Sequence, residues 1–182
     1  MRVCFDTASN YFWNGLGGYL NTPEQARCAF EGFNFRFDCA TAVIIESRES
    51  FDYTGHRELF ALLEQADEIV TFNGRTCDLI VLEKLLKPEE SRKLWAKPHH
   101  DLKGWLEQSL EASAKRFSPE LGVQYGRLKQ QRVAVLEVSK TLNDFQTSAL
   151  AGTYRDAWVT FELGCAYLKS GNTDFTVTHP PG

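Results

Sequence analysis

The chain has 182 residues and a formal net charge of -4 at pH 7, with 43% hydrophobic and 24% charged residues. That length fits one domain with a sizeable core, and the composition is that of a globular protein rather than a disordered or fibrous one. The negative net charge excludes a protein held on nucleic acid by bulk positive charge, but it is compatible with an enzyme that uses a local groove and metal ions. We predict a single domain over residues 1–182.

The five cysteines are odd in number and scattered, with no CxxC pair and no histidine at zinc-finger spacing. This pattern indicates reduced, mostly buried thiols. The N-terminus has no apolar stretch of signal-peptide length, and no run of about 18 apolar residues could span a membrane. We therefore expect a cytoplasmic protein with no membrane partner.

The first part of the chain predicts three strands and one helix start. Residues 3–5 are a short apolar run, which predicts a buried strand with Asp6 at its carboxyl end. Residues 22–23 are Thr-Pro, which is typical of a helix N-terminus. Residues 41–45 predict a clear strand, and residues 50–53 are expected to pair beside it.

The middle of the chain alternates helix and strand. Apolar residues recur at helical spacing over residues 56–66, and a strong strand signal follows over residues 68–72. The Asn73-Gly74 turn pair closes that strand. A second amphipathic helix over residues 79–86 is expected to stop before Pro88.

The last part of the chain is mostly helical in its patterning. Residues 98–102 predict a connection or an edge strand, and helices are expected over residues 102–114 and 154–169. Residues 117–147 are ambiguous, because the apolar run at 133–136 fits a strand or a buried helix equally well. Strands first and then alternating helix and strand indicate a mixed sheet covered by helices, an α/β fold.

One segment carries the clearest functional pattern. A strand over residues 68–72 leads into Asn73-Gly74, and a helix then begins with Asp78 in its first turn. This order resembles the second motif of the DEDD-type 3′–5′ exonucleases, which have a ribonuclease H-like fold. The resemblance implies that Asp78 is a metal ligand and that Asn73 lies beside the substrate strand, although the family's usual Phe is Cys77 here. Alternatively, Asp78 is only a favourable charge at a helix N-terminus, contributing about 0.3–1 kcal/mol.

The start of the chain resembles the opening motif of the same family, which is a strand followed by Asp-x-Glu. Asp6 matches the first acid of that motif, and Ala8 occupies the position of the Glu. The resemblance implies that Asp6 binds metal and that the second ligand of the motif is missing. The alternative is an ordinary acid that ends a strand at a turn.

Residues 153–163 resemble the third motif, an Asp in a late helix followed by Thr and Leu at helical spacing. The resemblance implies that Asp156 is the last metal ligand. The family places a Tyr or His four or five residues earlier to orient the attacking water, and this chain has Gly152 and Ala151 there. Tyr154 is near but out of register. Alternatively, Asp156 is a charge in the first turn of a helix.

The resemblance as a whole implies a ribonuclease H-like fold, with Asp6 on the first strand of a mixed sheet, Asp78 on a mid-chain helix and Asp156 on the C-terminal helix. These three aspartates would be the catalytic residues and would hold one or two Mg²⁺ or Mn²⁺ ions. Residues expected to contact nucleic acid are Thr7, Asn73, Arg75 and Tyr154. The implied function is metal-dependent hydrolysis of single-stranded DNA or RNA from a 3′ end.

Two other functions stay open. Loss of the Glu and of the water-orienting group could leave a catalytically impaired domain that binds nucleic acid or protein, and a ribonuclease H-like endonuclease is the third alternative. Acids that could fill the gap are Asp101, Asp144 and Glu162. His99 and His100 are adjacent and are expected to point to opposite faces of a strand, which argues against shared metal binding.

Two further clusters have a functional and a structural interpretation each. A basic stretch could line a path for phosphates or be a solvated face; it comprises Lys115, Arg116, Arg127, Lys129, Arg132 and Lys140. An aromatic cluster after Asp6 could stack bases or fill the core; it comprises Tyr11, Phe12, Trp13 and Tyr19.

Overall fold

The structure, a computed structural model, describes residues 1–10, 20–106, 109–139 and 142–170 of the chain. Within these ranges the chain forms one five-stranded mixed sheet flanked by helices. The predicted α/β class is therefore confirmed. The aromatic cluster at residues 11–19 and Lys140 lie outside the described residues.

The sheet has the strand order β3-β2-β1-β4-β5. The strands are β1 (Arg2–Ser9), β2 (Phe37–Ile44), β3 (Ser50–Tyr53), β4 (Glu68–Thr71) and β5 (His99–Asp101). The first three strands form an antiparallel meander, and β4 and β5 extend the other side of β1 in parallel. β1 is therefore the central strand, as its buried apolar residues require.

Asp6 does not end β1, as the sequence pattern suggested, but lies within it. β1 pairs with β2 as far as Ser9, so Asp6 lies opposite Thr41 and Ala8 opposite Cys39. On its other side β1 pairs with β4 only from Arg2 to Cys4. The antiparallel partner extends the strand past the apolar run, and the interpretation of Asp6 as an acid at a turn is wrong.

The helices follow the sheet in chain order. They are α1 (Pro23–Ala29), α2 (His56–Gln65), α3 (Asp78–Leu85), α4 (Pro88–Trp95), α5 (Leu102–Leu106), α6 (Leu110–Phe117), α7 (Pro119–Ser139) and α8 (Asp144–Lys169). The Thr22 side chain caps α1 and accepts a hydrogen bond from the Gln25 N–H. The predicted start of α1 and the predicted helix over α2 are thus confirmed.

Three helix predictions need correction. Pro88 does not only end α3; it also begins α4, since a proline fits the first turn of a helix. The helix predicted over residues 102–114 is two helices, α5 and α6. The ambiguous apolar run at 133–136 lies in α7, so the helical alternative holds. α8 begins at Asp144, ten residues before the predicted start at Tyr154, under a capping box formed by Asn143 and Gln146.

The two faces of the sheet are buried by different helices. Val3 and Phe5 on one face of β1 belong to a core cluster with residues of α1 to α4. Cys4 on the other face packs with residues of α8 and its neighbours. Because side chains alternate along a strand, Asp6 and Ala8 share the face of Cys4 and lie toward α8. None of the helices in the described ranges has the length and apolar character needed to cross a membrane.

Candidate functional site

A cavity of about 410 Å³ opens between β1, β2 and α8. Two of the predicted metal ligands, Asp6 and Asp156, line it, together with a third acid, Asp38. The other lining residues are mostly apolar or small: Thr7, Ala8, Ser9, Phe30, Phe35, Cys77, Val81, Lys129, Phe145, Ser148, Ala149, Gly152 and Thr153. The cavity is therefore an acid-rimmed pocket with aromatic walls and one lysine.

Asp78 lies beside this cavity, at the first residue of α3, and is 2% exposed. Its Oδ1 accepts two hydrogen bonds from Thr7, from the backbone N–H at 2.8 Å and from the hydroxyl at 2.6 Å. The strand and the helix are thus tied together at the carboxylate. Burial raises the pKa of Asp78 to about 6, even though the bonds from Thr7 lower it.

The pKa of the Asp6 carboxyl group is also raised. Its pKa is raised well above the usual range, first by burial and then by the negative charges of Asp78 and Asp156, while Arg155 lowers it. Asp6 and Asp156 line the same cavity and Asp78 lies beside it, bonded to Thr7, and we call Asp6, Asp78 and Asp156 the acid site.

Asp156 lies in the middle of α8, so the interpretation of Asp156 as a first-turn charge is wrong. Its carboxylate is paired with the neighbouring Arg155, at 2.7 Å from Nε and 3.0 Å from Nη2. The Arg155 guanidinium stacks over the Tyr125 ring of α7 at 4.3 Å. Burial and then the charge of Asp156 raise the pKa of Tyr125. The Arg155 guanidinium thus places a positive charge beside the Asp156 carboxylate of the acid site.

Carboxylates are the ligands that hard cations such as Mg²⁺ and Mn²⁺ prefer, and the acid site has three of them. Across the described ranges, no three His, Cys, Asp or Glu side chains are grouped closely enough to hold a metal ion. The Asp78 carboxylate is bonded to Thr7, and the Asp156 carboxylate is bonded to Arg155.

Asp101, which the sequence offered as a replacement metal ligand, instead holds the loop after β4 in place. Its carboxylate accepts the backbone N–H groups of Asn73 at 2.7 Å and Arg75 at 3.0 Å. Asn73 has a φ of 66°, which asparagine tolerates, and its Oδ1 accepts hydrogen bonds from Thr76 and Lys103. Asn73 and Arg75 build the loop that presents Asp78, and neither is among the described residues lining the cavity.

Gly74 in this loop has no room for a side chain. A Cβ there would lie 2.2 Å from Thr71 Oγ1, the atom that accepts the Gly74 N–H. Gly74→Ala should therefore lower the free energy of unfolding by about 1–3 kcal/mol, measured by urea denaturation. Gly126→Ala is the control, because a Cβ at that α7 position meets nothing within 4 Å. Equal stability of the Gly74 variant and the wild type would contradict the tight turn.

Tyr154 of α8 packs against α7 and is not among the described residues that line the cavity. The Arg132 guanidinium stacks on its ring at 4.6 Å and also pairs with Asp52 of β3. Trp158 contacts the same ring edge-on, at 6.1 Å between centroids. In the basic stretch, Lys115 pairs with Glu111 and Arg132 with Asp52, whereas Lys129 lines the cavity.

Sequence reasoning missed Asp38 and Phe145, which both line the cavity. The Asp38 side chain is 9% exposed; its Oδ1 accepts from Arg36 at 3.0 Å, and Oδ2 has no hydrogen-bond partner within the described residues. Phe145 is 54% exposed. No pattern in the sequence marks either residue, because each reaches the cavity through tertiary packing. The other proposed replacement acids, Asp144 and Glu162, are not among the described lining residues.

Gly152 lines the cavity, and a Cβ built there would meet no atom of the described residues within 4 Å. The position at which the resembling family has its water-orienting side chain is therefore free of other described atoms. His99 and His100 point to opposite faces of β5, as expected: His99 bonds Thr71 at 2.8 Å, and His100 packs against Tyr167.

Comparison of the chain with protein-family models, with curated proteins and with solved structures finds no match.

Proposed function

We propose that this chain is a ribonuclease H-like domain of the 3′–5′ exonuclease type, which hydrolyses single-stranded DNA or RNA from a 3′ end with a divalent metal ion. The observation that supports the proposal is the acid site, in which Asp6 and Asp156 line one cavity and Asp78 lies beside it, tied to β1 through Thr7. Each aspartate comes from a motif that resembles the family, in the family's order.

The energetic cost of the acid site supports a functional role. Burial raises the pKa values of Asp6 and Asp78, and nearby carboxylates raise them further, so both groups are unfavourable when ionised. Acids that only stabilise a fold are usually paired with cations, and their pKa values are lowered. Strongly perturbed acids beside a cavity are typical of catalytic and binding sites.

The acid content of the cavity also decides which ligands can enter. Asp6, Asp38 and Asp156 line it against a single lysine, Lys129, so a phosphate would be repelled without an added cation. A divalent ion bound at these carboxylates would lower that repulsion, and the chemistry it would supply is activation of water and stabilisation of the leaving oxygen. On this proposal Thr7 holds Asp78 in place, and Lys129 and Phe145 are positioned to contact a phosphate and a base.

The test is digestion of end-labelled single-stranded DNA and RNA with Mn²⁺, with Asp78→Asn beside the wild type. We expect a ladder that shortens from the 3′ end and at least about 100-fold less cleavage by the variant, since even outer-shell changes cost metal sites about 10–100-fold. Asp144→Asn is the matched control, because Asp144 is exposed on the helix that carries Asp156. It should cleave like the wild type.

Two other results would redirect the proposal. Cleavage of circular single strands, which have no ends, would indicate an endonuclease. No cleavage of any substrate by folded protein would contradict the enzyme and favour the second candidate, a binding module. The pairing of Asp156 with Arg155 and the presence of Ala8 are the observations that favour that second candidate.

A further inference from the structure

Of the acids that line the cavity, Asp6 is the one whose carboxylate has no partner. Within the described ranges it accepts no hydrogen bond and forms no ion pair. The other two acids are engaged. Asp156 accepts from Arg155 at 2.7 Å and 3.0 Å, and Asp38 Oδ1 accepts from Arg36 at 3.0 Å. The cavity therefore has a carboxylate that no cation of the described chain neutralises by direct contact.

A β-bulge places a second hydrogen-bond acceptor at the cavity. Ala8 lies opposite Cys39, and the next residue of β1, Ser9, lies opposite Phe37. Asp38 is thus left without a partner on β1, and a bulge of this kind re-aims a side chain. The Asp38 side chain lines the cavity and is 9% exposed, and its Oδ2 has no hydrogen-bond partner in the described part of the chain. Because a buried acceptor without a donor costs free energy, the cavity favours a ligand that brings hydrogen-bond donors.

The walls of the cavity suit an apolar body beside that charge. Phe30 and Phe35 line it, and their rings pack edge to face with 5.1 Å between centroids. Phe145 lines it as well and is 54% exposed. Aromatic rings attract cations through their faces. The cavity volume of about 410 Å³ lies within the range of about 300–1,000 Å³ that is typical of sites for small organic ligands.

Lys129 is a cation among the described residues that line the cavity, and it leaves Asp6 available. Within the described ranges Lys129 forms no ion pair with Asp6, Asp38 or Asp156. Its charge lowers the affinity of the cavity for a cationic ligand without filling the place of that ligand. An ammonium group needs only one close carboxylate, so the spread of the acids around the cavity does not count against it.

We propose that the cavity is a binding site for a small organic cation, whose ammonium group pairs with Asp6 and whose apolar body packs against Phe30, Phe35 and Phe145. The inference goes beyond the proposed function and does not depend on it. It accounts for the combination of carboxylates and phenylalanines in one cavity, because such a ligand brings both a positive charge and an apolar surface.

The experiment measures the binding of 2-phenylethylamine by isothermal titration calorimetry at pH 8, with EDTA present and without nucleic acid. The pKa of Asp6 is raised, so more of it is ionised at pH 8 than at neutral pH. The reference ligand is 2-phenylethanol, which has nearly the same shape and no charge. We expect the wild type to bind the amine about tenfold more tightly than the alcohol, since one charge-assisted hydrogen bond contributes about that factor.

Two variants at the cavity should shift the affinity for the amine in opposite directions. Asp6→Asn should lose the preference for the amine and keep its affinity for the alcohol, which shows that the cavity is intact. Lys129→Gln should bind the amine about threefold more tightly, because a like charge has been removed. Circular dichroism confirms that each variant is folded.

Asp144→Asn is the matched control, because Asp144 is exposed on α8 and is not among the described lining residues. Its affinities for both ligands should equal those of the wild type. The cation site would be overturned by equal affinity of the wild type for amine and alcohol, by no binding of the amine, or by an Asp6→Asn variant that keeps the preference. Each of these results leaves the proposed function standing, because the measurement contains neither free metal ion nor nucleic acid.

Discussion

Replacing Asp78 with Asn should make the folded protein more stable at pH 8 in metal-free buffer, by up to about 3 kcal/mol. The reason is the pKa of Asp78, which rises from 3.8 to about 6 on folding, first because the side chain is buried. At about 1.4 kcal/mol per pKa unit, the ionised carboxylate costs the folded state about that amount. Asparagine keeps an oxygen for the two Thr7 donors and carries no charge.

The pH dependence gives the sign check for this prediction. A carboxyl with a raised folded-state pKa binds its proton more tightly when folded, so the cost of ionisation is absent below about pH 4 and fully present above about pH 6. The stability gain of Asp78→Asn should therefore shrink toward zero between pH 8 and pH 4. Urea denaturation of both proteins across this range, with EDTA present, measures it.

The exposed helix-start acid Asp144 provides the comparison for Asp78. Asp144→Asn should lower the free energy of unfolding by about 0.3–1 kcal/mol, as expected for the loss of a negative charge at a helix N-terminus. If Asp78→Asn lowers the free energy of unfolding by a similar amount at every pH, then the charge of Asp78 also stabilises the fold. The functional interpretation of the acid site then fails.

Acid should destabilise the protein through His99 by up to about 5 kcal/mol between pH 6.5 and pH 3. The His99 ring is 6% exposed and bonded to Thr71, and burial lowers its pKa from 6.5 to about 3. Above pH 6.5 the ring is neutral in both states and costs nothing. As the pH falls, only the unfolded chain takes up the proton, and stability drops by about 1.4 kcal/mol per pH unit.

The measurement compares the free energies of unfolding of two proteins, one with His99 and one with His99→Phe. Both carry Asp78→Asn, so that the Asp78 carboxylate does not titrate in the same pH range. The Phe variant should be less stable at pH 7 by about 1–3 kcal/mol, because Thr71 loses one hydrogen-bond partner. The stability of the Phe variant should not fall with pH through His99, and it should approach the stability of the protein with His99 near pH 5. Parallel pH profiles of the two proteins would show that His99 does not carry the effect.

The sequence predicted the elements whose patterns are local. Alternation and apolar spacing marked β2, β4, α2 and α3, and Thr22 marked the start of α1. The sequence patterns failed where contact with another segment of the chain, or a capping side chain, sets the ends of an element. β1 continues past its apolar run because β2 pairs with it, and α8 begins early because Asn143 caps it.

The site divides along the same line. The ligand role of Asp6, Asp78 and Asp156 stays a prediction, but the three residues could be singled out because each lies in a segment with a recognisable pattern. Asp38, Phe145 and the bonds between Arg155 and Asp156 could not, because they depend on how β2, α8 and α7 pack. Tyr154 illustrates the opposite error: it was chosen for its closeness to Asp156 in the sequence, and it packs against Arg132.

The pairing of β1 has a consequence for aggregation. β1 leaves β4 after Cys4, and from there its backbone on that side has no neighbouring strand among the described elements. An open strand edge of this kind can pair with another chain and start aggregation. Here the Thr7 N–H is already bonded to the Asp78 carboxylate. The carboxylate that makes the folded state less stable thus occupies a backbone donor that another strand would otherwise use.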